Sequence, residues 1–122
     1  MFSPGDSQIV LVVDDERPIA EMVAAILRVS GYVAYVAYSG EEALHLSNTI
    51  SPHLLVSDVM MPGMNGVQLA IEFKKRCPDC KVLLCSGAVS SENALEEPRR
   101  QGYDFKFLGK PFHPTDLLRS IA

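Results

Sequence analysis

The sequence predicts an α/β protein in which five strands alternate with five helices in a doubly wound parallel sheet. Short continuous apolar runs such as Ile9-Val10-Leu11-Val12-Val13 and Lys81-Val82-Leu83-Leu84-Cys85 read as strands covered on both faces. A strand with one wet face would alternate apolar and polar residues instead. Between successive runs lies a stretch of helical length, which parallel neighbours need in order to cross over the sheet.

The first run, residues 9–13, ends in Asp14-Asp15-Glu16. Pro18 suits a first helical turn, where its missing N–H has no bond to lose. Ile19, Met22, Val23, Ile26 and Leu27 recur on one helical face, and Gly31 ends that helix. Val33 to Ala37 forms a second, shorter strand. Ser39-Gly40-Glu41-Glu42 has the S-x-x-E form of a capping box, opening a helix expected to reach about Ile50 before Pro52 stops it. The third strand, Leu54 to Ser57, delivers Asp58 into the loop Pro62-Gly63-Met64-Asn65-Gly66. Val67, Ala70, Ile71 and Lys74 trace a third helix, with Lys74-Lys75-Arg76 in its last turn, where the helix dipole favours cations. The fourth strand ends in Ser86-Gly87. A fourth helix is expected from Ser90 to Gln101, shortened or kinked by Pro98. Phe105 to Leu108 is the fifth strand, running into Gly109-Lys110-Pro111. Pro114 and Asp116 open a last helix carrying Leu117, Leu118 and Ile121.

At 122 residues this is one domain by length, with residues 1–7 expected as a flexible tail and 8–122 as the folded unit. The net charge of −4 argues against direct binding of nucleic acid or an anionic membrane, which want a basic face. No apolar run is long enough to span a bilayer, and the first residues lack the pattern of a signal peptide, so a cytoplasmic location is expected by default. Cys77, Cys80 and Cys85 are expected as free thiols. Cys77-Pro78-Asp79-Cys80 follows a helical pattern rather than opening one, so it reads as a helix-to-strand turn and not as a redox motif. A zinc site would need two more ligands, and His45, His53 and His113 stand alone in the sequence.

In open parallel sheets, ligands bind at the carboxyl ends of the strands. Aligning those ends puts Asp14, Asp15, Asp58, Ser86 and Lys110 on one edge. Two carboxylates about 4 Å apart repel by on the order of 4 kcal/mol at an effective dielectric near 20, so three would not stay together ionised without a cation. Oxygen ligands with room for water suit Mg²⁺. Lys110 can neutralise a phosphoryl oxygen and the Ser86 hydroxyl can bond another. A carboxylate is also a competent nucleophile for making an acyl phosphate. The edge is suited to moving a phosphoryl group onto Asp58 and holding it there.

On these residues the chain resembles the receiver domains of two-component response regulators. The features that match are Asp14-Asp15 after the first strand, Asp58-x-x-Met61-Pro62-x-Met64-x-Gly66, Ser86-Gly87 and Lys110-Pro111. The resemblance implies a flavodoxin-like (βα)5 fold with strand order 2-1-3-4-5. It implies that Asp58 accepts a phosphoryl group from a sensor histidine kinase or a phosphotransfer protein. Asp15 and Asp58 would ligate Mg²⁺ with the main-chain carbonyl of Met60, and Asp14 would help through water. Lys110 would contact the phosphoryl group, and its peptide bond to Pro111 would be cis. Ser86 would swing in to bond the phosphoryl group and Phe107 would rotate behind it, coupling the site to a downstream output domain or effector protein. Such a domain relays a signal and assists its own phosphorylation and dephosphorylation; it is not an enzyme in the ordinary sense.

Three positions depart from the family pattern. Phe107 stands where a tyrosine is common, so the hydroxyl is missing. Pro98 disturbs the fourth helix, part of the usual output face, and leaves a homodimer through that face open. Met60 and Ala88, two residues past Asp58 and Ser86, are apolar where polar side chains can position the attacking water, so slow self-dephosphorylation is expected. The chain stops barely inside its fifth helix, which leans towards a segment of a longer regulator over a stand-alone one. A flavodoxin-like FMN carrier needs a phosphate-cradling loop after the first strand, where Asp14-Asp15-Glu16 would repel phosphate. An aspartyl-nucleophile phosphatase needs a cap to enclose substrate. A receiver-shaped adaptor that is never phosphorylated would not need the intact site.

Overall fold

The computed structural model describes residues 8–87 and 95–121. The expected 1–7 tail, Ala88 and the first residues of the expected fourth helix lie outside them. The elements are β1 (Ile9–Val13), α1 (Arg17–Val29), β2 (Val33–Ala37), α2 (Gly40–Leu46), β3 (Leu54–Asp58), α3 (Gly66–Arg76), β4 (Lys81–Ser86), α4 (Glu96–Arg100), β5 (Lys106–Gly109) and α5 (Pro114–Ile121). The strands form one parallel sheet in the order β2-β1-β3-β4-β5.

Each central strand feeds two cores because successive side chains point to opposite faces. Leu11, Val13, Leu55, Val82 and Leu84 pack with Ala43 of α2, with Leu69, Ala70 and Phe73 of α3, and with Leu95 ahead of α4. Val10, Val12, Leu54, Val56, Leu83 and Cys85 pack with Ala20, Val23, Ala24 and Leu27 of α1 and Leu117 of α5. Burial on both faces is the physical reason for the unbroken apolar runs.

Four elements differ from their expected limits or faces. The second helix ends at Leu46 and not near Ile50. Ser47 and Thr49 turn their hydroxyls back onto the carbonyls of Leu44 and Leu46, and such local bonds compete with continued helix. The buried face of α3 is Val67, Leu69, Ala70 and Phe73, while Ile71 and Lys74 are only half-buried. In α1 the stripe is likewise shifted, since Met22 is 48% exposed. Phe105 is buried but precedes β5, stacked on Tyr103 with ring centroids 5.5 Å apart. Pro98 lies in the first turn of the described part of α4 and is buried there. A proline in a first turn interrupts no helical hydrogen bond.

The capping at α2 takes a variant form. The Ser39 hydroxyl accepts from the Glu42 N–H, but the Glu42 carboxylate accepts from the Tyr38 N–H, one residue earlier than a capping box requires. A complete box occurs instead at α3, between Asn65 and Gln68. Cys77-Pro78-Asp79-Cys80 is the turn from α3 to β4, closed by a hydrogen bond from the Cys80 N–H to the Cys77 carbonyl. The three cysteines are free thiols. Among the described residues no helix is long and apolar enough to cross a membrane.

Candidate functional site

The carboxyl ends of β1, β3, β4 and β5 converge at one point. The β1 ladder runs one residue beyond the strand, with the Asp14 N–H donating to the Ala37 carbonyl at 3.2 Å. That fixes Asp14 at the sheet edge, only 4% exposed, while Asp15 beside it faces solvent. Asp14 Oδ1 accepts from the Glu16 N–H at 3.0 Å, which sets its side chain in a local turn.

Asp58 is the last residue of β3 and is 8% exposed. The loop after it folds back so tightly that the Gly66 N–H donates to the Val59 carbonyl at 2.9 Å. A Cβ on Gly66 would lie 2.1 Å from the Asp58 carbonyl oxygen, a main-chain atom that cannot step aside. Glycine is required there for close approach of two backbones. Gly63, at φ +72°, is required for its left-handed conformation.

Ser86 ends β4, pairs in register with Gly109 and is 3% exposed. Its carbonyl accepts from the Lys110 N–H at 2.9 Å, so the backbone of one predicted site residue positions the other. The Lys110–Pro111 peptide is cis, as the resemblance implied. Lys110 reaches inward, with Nζ 3.0 Å from Asp14 Oδ2 and 3.2 Å from Asp58 Oδ1. One carboxylate oxygen from each of Asp14, Asp15 and Asp58 lies within 4.8 Å of the other two. The three acids and the lysine expected from the sequence are therefore brought together, with Ser86 on the same edge. Phe107, in β5, is half-buried against the core under α2 and α3. Met60, two residues past Asp58, is 64% exposed.

The electrostatics follow from this crowding. Burial pushes the Asp58 carboxyl above its ordinary range; Lys110 opposes that, and the negative charges of Asp14 and Asp15 add to it. For Lys110, burial pulls the ammonium down, but its hydrogen bond to Asp14 and the charges of Asp58 and Asp14 outweigh that and leave it raised. Cys85, opposite Asp58 in the ladder, is a neutral bystander: burial pushes its thiol up to about 12. The donor set is purely oxygen, it repels itself, and one ammonium offsets only part of its charge. Those properties fit a hard divalent cation of the Mg²⁺ kind.

Sequence reasoning missed a brace beside the site. The Tyr38 hydroxyl donates to Glu21, and the Arg17 guanidinium sits 4.2 Å from the centre of the Tyr38 ring. It ties the start of α1, just past Asp15, to the loop after β2. No local pattern announces it, because the partners meet only when the two segments pack.

Comparison with known proteins gives a consistent result. Residues 10–122 match the family model described as "Response regulator receiver domain". Over 113 residues, 92% of each chain, the sequence is 31% identical to the chemotaxis protein CheY of Thermotoga maritima. Among solved structures, a CheY-like response regulator receiver domain protein from Methanospirillum hungatei superposes with a TM-score of 0.85 at 29% identity, covering 95% of this chain and 91% of that one. The chemotaxis protein CheY4 of Vibrio cholerae superposes at 0.84 with 28% identity, covering 94% and 96%.

Proposed function

This chain belongs to the response regulator receiver domain family, and on that premise we propose that it is a switch set by reversible phosphorylation of Asp58. Proteins of this type relay signals between kinases and output domains or effector proteins. The observation that carries the proposal is the meeting of Asp14, Asp15 and Asp58 within 4.8 Å, with Lys110 Nζ 3.2 Å from Asp58.

In this reading an Asp58 oxygen attacks the phosphorus of a phosphohistidine on a sensor histidine kinase or a phosphotransfer protein. The P–N bond breaks, the imidazole nitrogen leaves with the bonding pair, and the phosphoryl group becomes an acyl phosphate on Asp58. Asp15, Asp58 and the Met60 carbonyl would hold Mg²⁺, with Asp14 assisting through water. Bound Mg²⁺ would supply charge neutralisation for the phosphoryl oxygens. Once Asp58 is phosphorylated, Lys110 loses an anionic partner and gains a phosphoryl oxygen, so its ammonium follows the charge. Ser86 would bond a second oxygen, and Phe107 would adjust behind it to carry the change into β5 and the elements around it. Apolar Met60 and Ala88 leave no side chain there to orient an attacking water, which supports a long-lived phospho-Asp58. The test is Mg²⁺-dependent transfer of a phosphoryl group from acetyl phosphate to Asp58.

A further inference from the structure

The end of the sheet opposite Asp58 holds a second concave site. A cavity of about 230 Å³ opens where the strands begin, floored by Leu54, Leu83 and Ile121 and rimmed by Lys74, Lys81, Lys106 and Asp104. The ladder puts these together, since Leu54 pairs with Lys81 and Leu83 with Lys106. Five steps along β4 lead from Lys81 to Ser86, roughly 16 Å at the rise of a strand, so the cavity is remote from the acid cluster.

In a chain of net charge −4, three ammonium groups against one carboxylate reverse the sign locally. Among the described residues, none of the three lysines has a carboxylate oxygen within 4.0 Å. Two of them are nonetheless held in place. Lys74 Nζ donates to the Pro78 carbonyl and Lys106 Nζ to the Ser120 carbonyl, each at 3.2 Å. An ammonium group has three N–H donors, so each keeps donors free; Lys106 is tethered to Ser120, which lines the cavity, and Lys74 to Pro78 in the turn after its helix. Tethering in advance reduces the side-chain entropy that binding would otherwise remove.

Two independent features select the same ligand chemistry. The aliphatic floor takes a hydrocarbon body, and the excess of ammonium groups takes more than one acidic group. A monoacid would leave the rim under-neutralised, and an inorganic anion would leave the floor wet. The cavity is smaller than the ~300–1,000 Å³ of sites for drug-sized ligands, which limits the occupant to a small molecule. We propose that this cavity binds a small organic dianion, an apolar body bearing two acidic groups, held by Lys74, Lys81 and Lys106. Because Lys106 opens β5 and Ile121 closes α5, the occupant would tie the starts of β4 and β5 to the end of α5.

The probe is phthalate, titrated into the ¹⁵N-labelled protein and followed by amide chemical shifts, with benzoate and sulfate in parallel. The expected result is saturable shifts centred on residues 54, 81–83, 104–106 and 120–121. Phthalate should bind about tenfold more tightly than benzoate or sulfate. Lys81→Gln and Lys106→Gln, both at exposed side chains, should each weaken phthalate about fivefold while the rest of the spectrum is preserved. Non-saturating shifts, equal binding of benzoate or sulfate, or phthalate affinity unmoved by the lysine substitutions would overturn the proposal.

Discussion

The ammonium of Lys110 stands 3.2 Å from Oδ1 of Asp58. That contact joins the end of β5 to the end of β3, and with the 3.0 Å contact to Asp14 it makes Lys110 the built-in counter-charge of the acid cluster. It also makes the lysine a competitor of any cation bound there.

Replacing Lys110 separates those two roles. Its ammonium is raised above the ordinary lysine value of 10.5, so its stabilising contribution is fully present below that value and is lost as pH rises through the folded one. At neutral pH in chelator, Lys110→Ala should therefore destabilise the fold by about 1–3 kcal/mol in urea unfolding, leaving the acids without their partner. Mg²⁺ affinity should rise in the same variant. A fall in affinity, measured by calorimetry, would show that Lys110 is not a competing charge.

Asp58→Asn should act in the opposite direction on stability. The native state holds the Asp58 proton more readily than the unfolded chain does, because burial and the neighbouring acids disfavour its charge. Stability from this group is thus present below the ordinary value of 3.8 and is lost as pH rises from there through the folded value. In metal-free buffer at pH 7 the asparagine variant should melt above the wild type, and the gap should close as pH is lowered towards 3.8. Superimposable melting curves at pH 7 would count against the electrostatic account.

Mg²⁺ should stabilise the wild type by mass action, by about 2.7 kcal/mol at a hundred times its dissociation constant. The shift should be absent in Asp58→Asn and strongly reduced in Asp15→Asn. Thermal melts across a Mg²⁺ titration, with Na⁺ at matched ionic strength as the control, separate specific binding from screening.

Much of this was legible in the sequence because the central strands are buried on both faces and each key residue ends a strand or lies within two residues of its end. Asp14, Asp15, Asp58, Ser86 and Lys110 inherit their positions from strand ends, so finding the strands aligned the site. The end of α2 was not legible, because the side-chain bonds of Ser47 and Thr49 to nearby carbonyls decide it. The buried face of α3 was misplaced because Lys74 keeps time with the apolar stripe while Phe73 carries the burial. The brace of Arg17, Tyr38 and Glu21 is a tertiary contact with no periodic signature.

Two glycines beside the site should respond differently to alanine. At Gly66 the new methyl group meets the Asp58 carbonyl oxygen at 2.1 Å, so Gly66→Ala should cost about 3 kcal/mol or more and weaken Mg²⁺ binding by displacing the loop. At Gly40 the methyl group meets the Met64 side chain, Sδ at 2.9 Å and Cβ at 3.0 Å; the sulfur can swing away but the Cβ moves only with its loop, so Gly40→Ala should cost about 1–2 kcal/mol, less than Gly66→Ala. Urea unfolding of both variants gives the comparison, and equal costs would contradict the close-packing explanation.

The most direct measurement is mass analysis of the intact protein and its peptides after incubation with acetyl phosphate. With Mg²⁺ present, the wild type should gain one phosphoryl group, confined to the peptide containing Asp58. Chelator or Asp58→Asn should abolish the gain, while a variant outside the site such as Lys81→Gln should keep it. Labelling that persists in Asp58→Asn, or that proceeds equally well in chelator, would contradict the account.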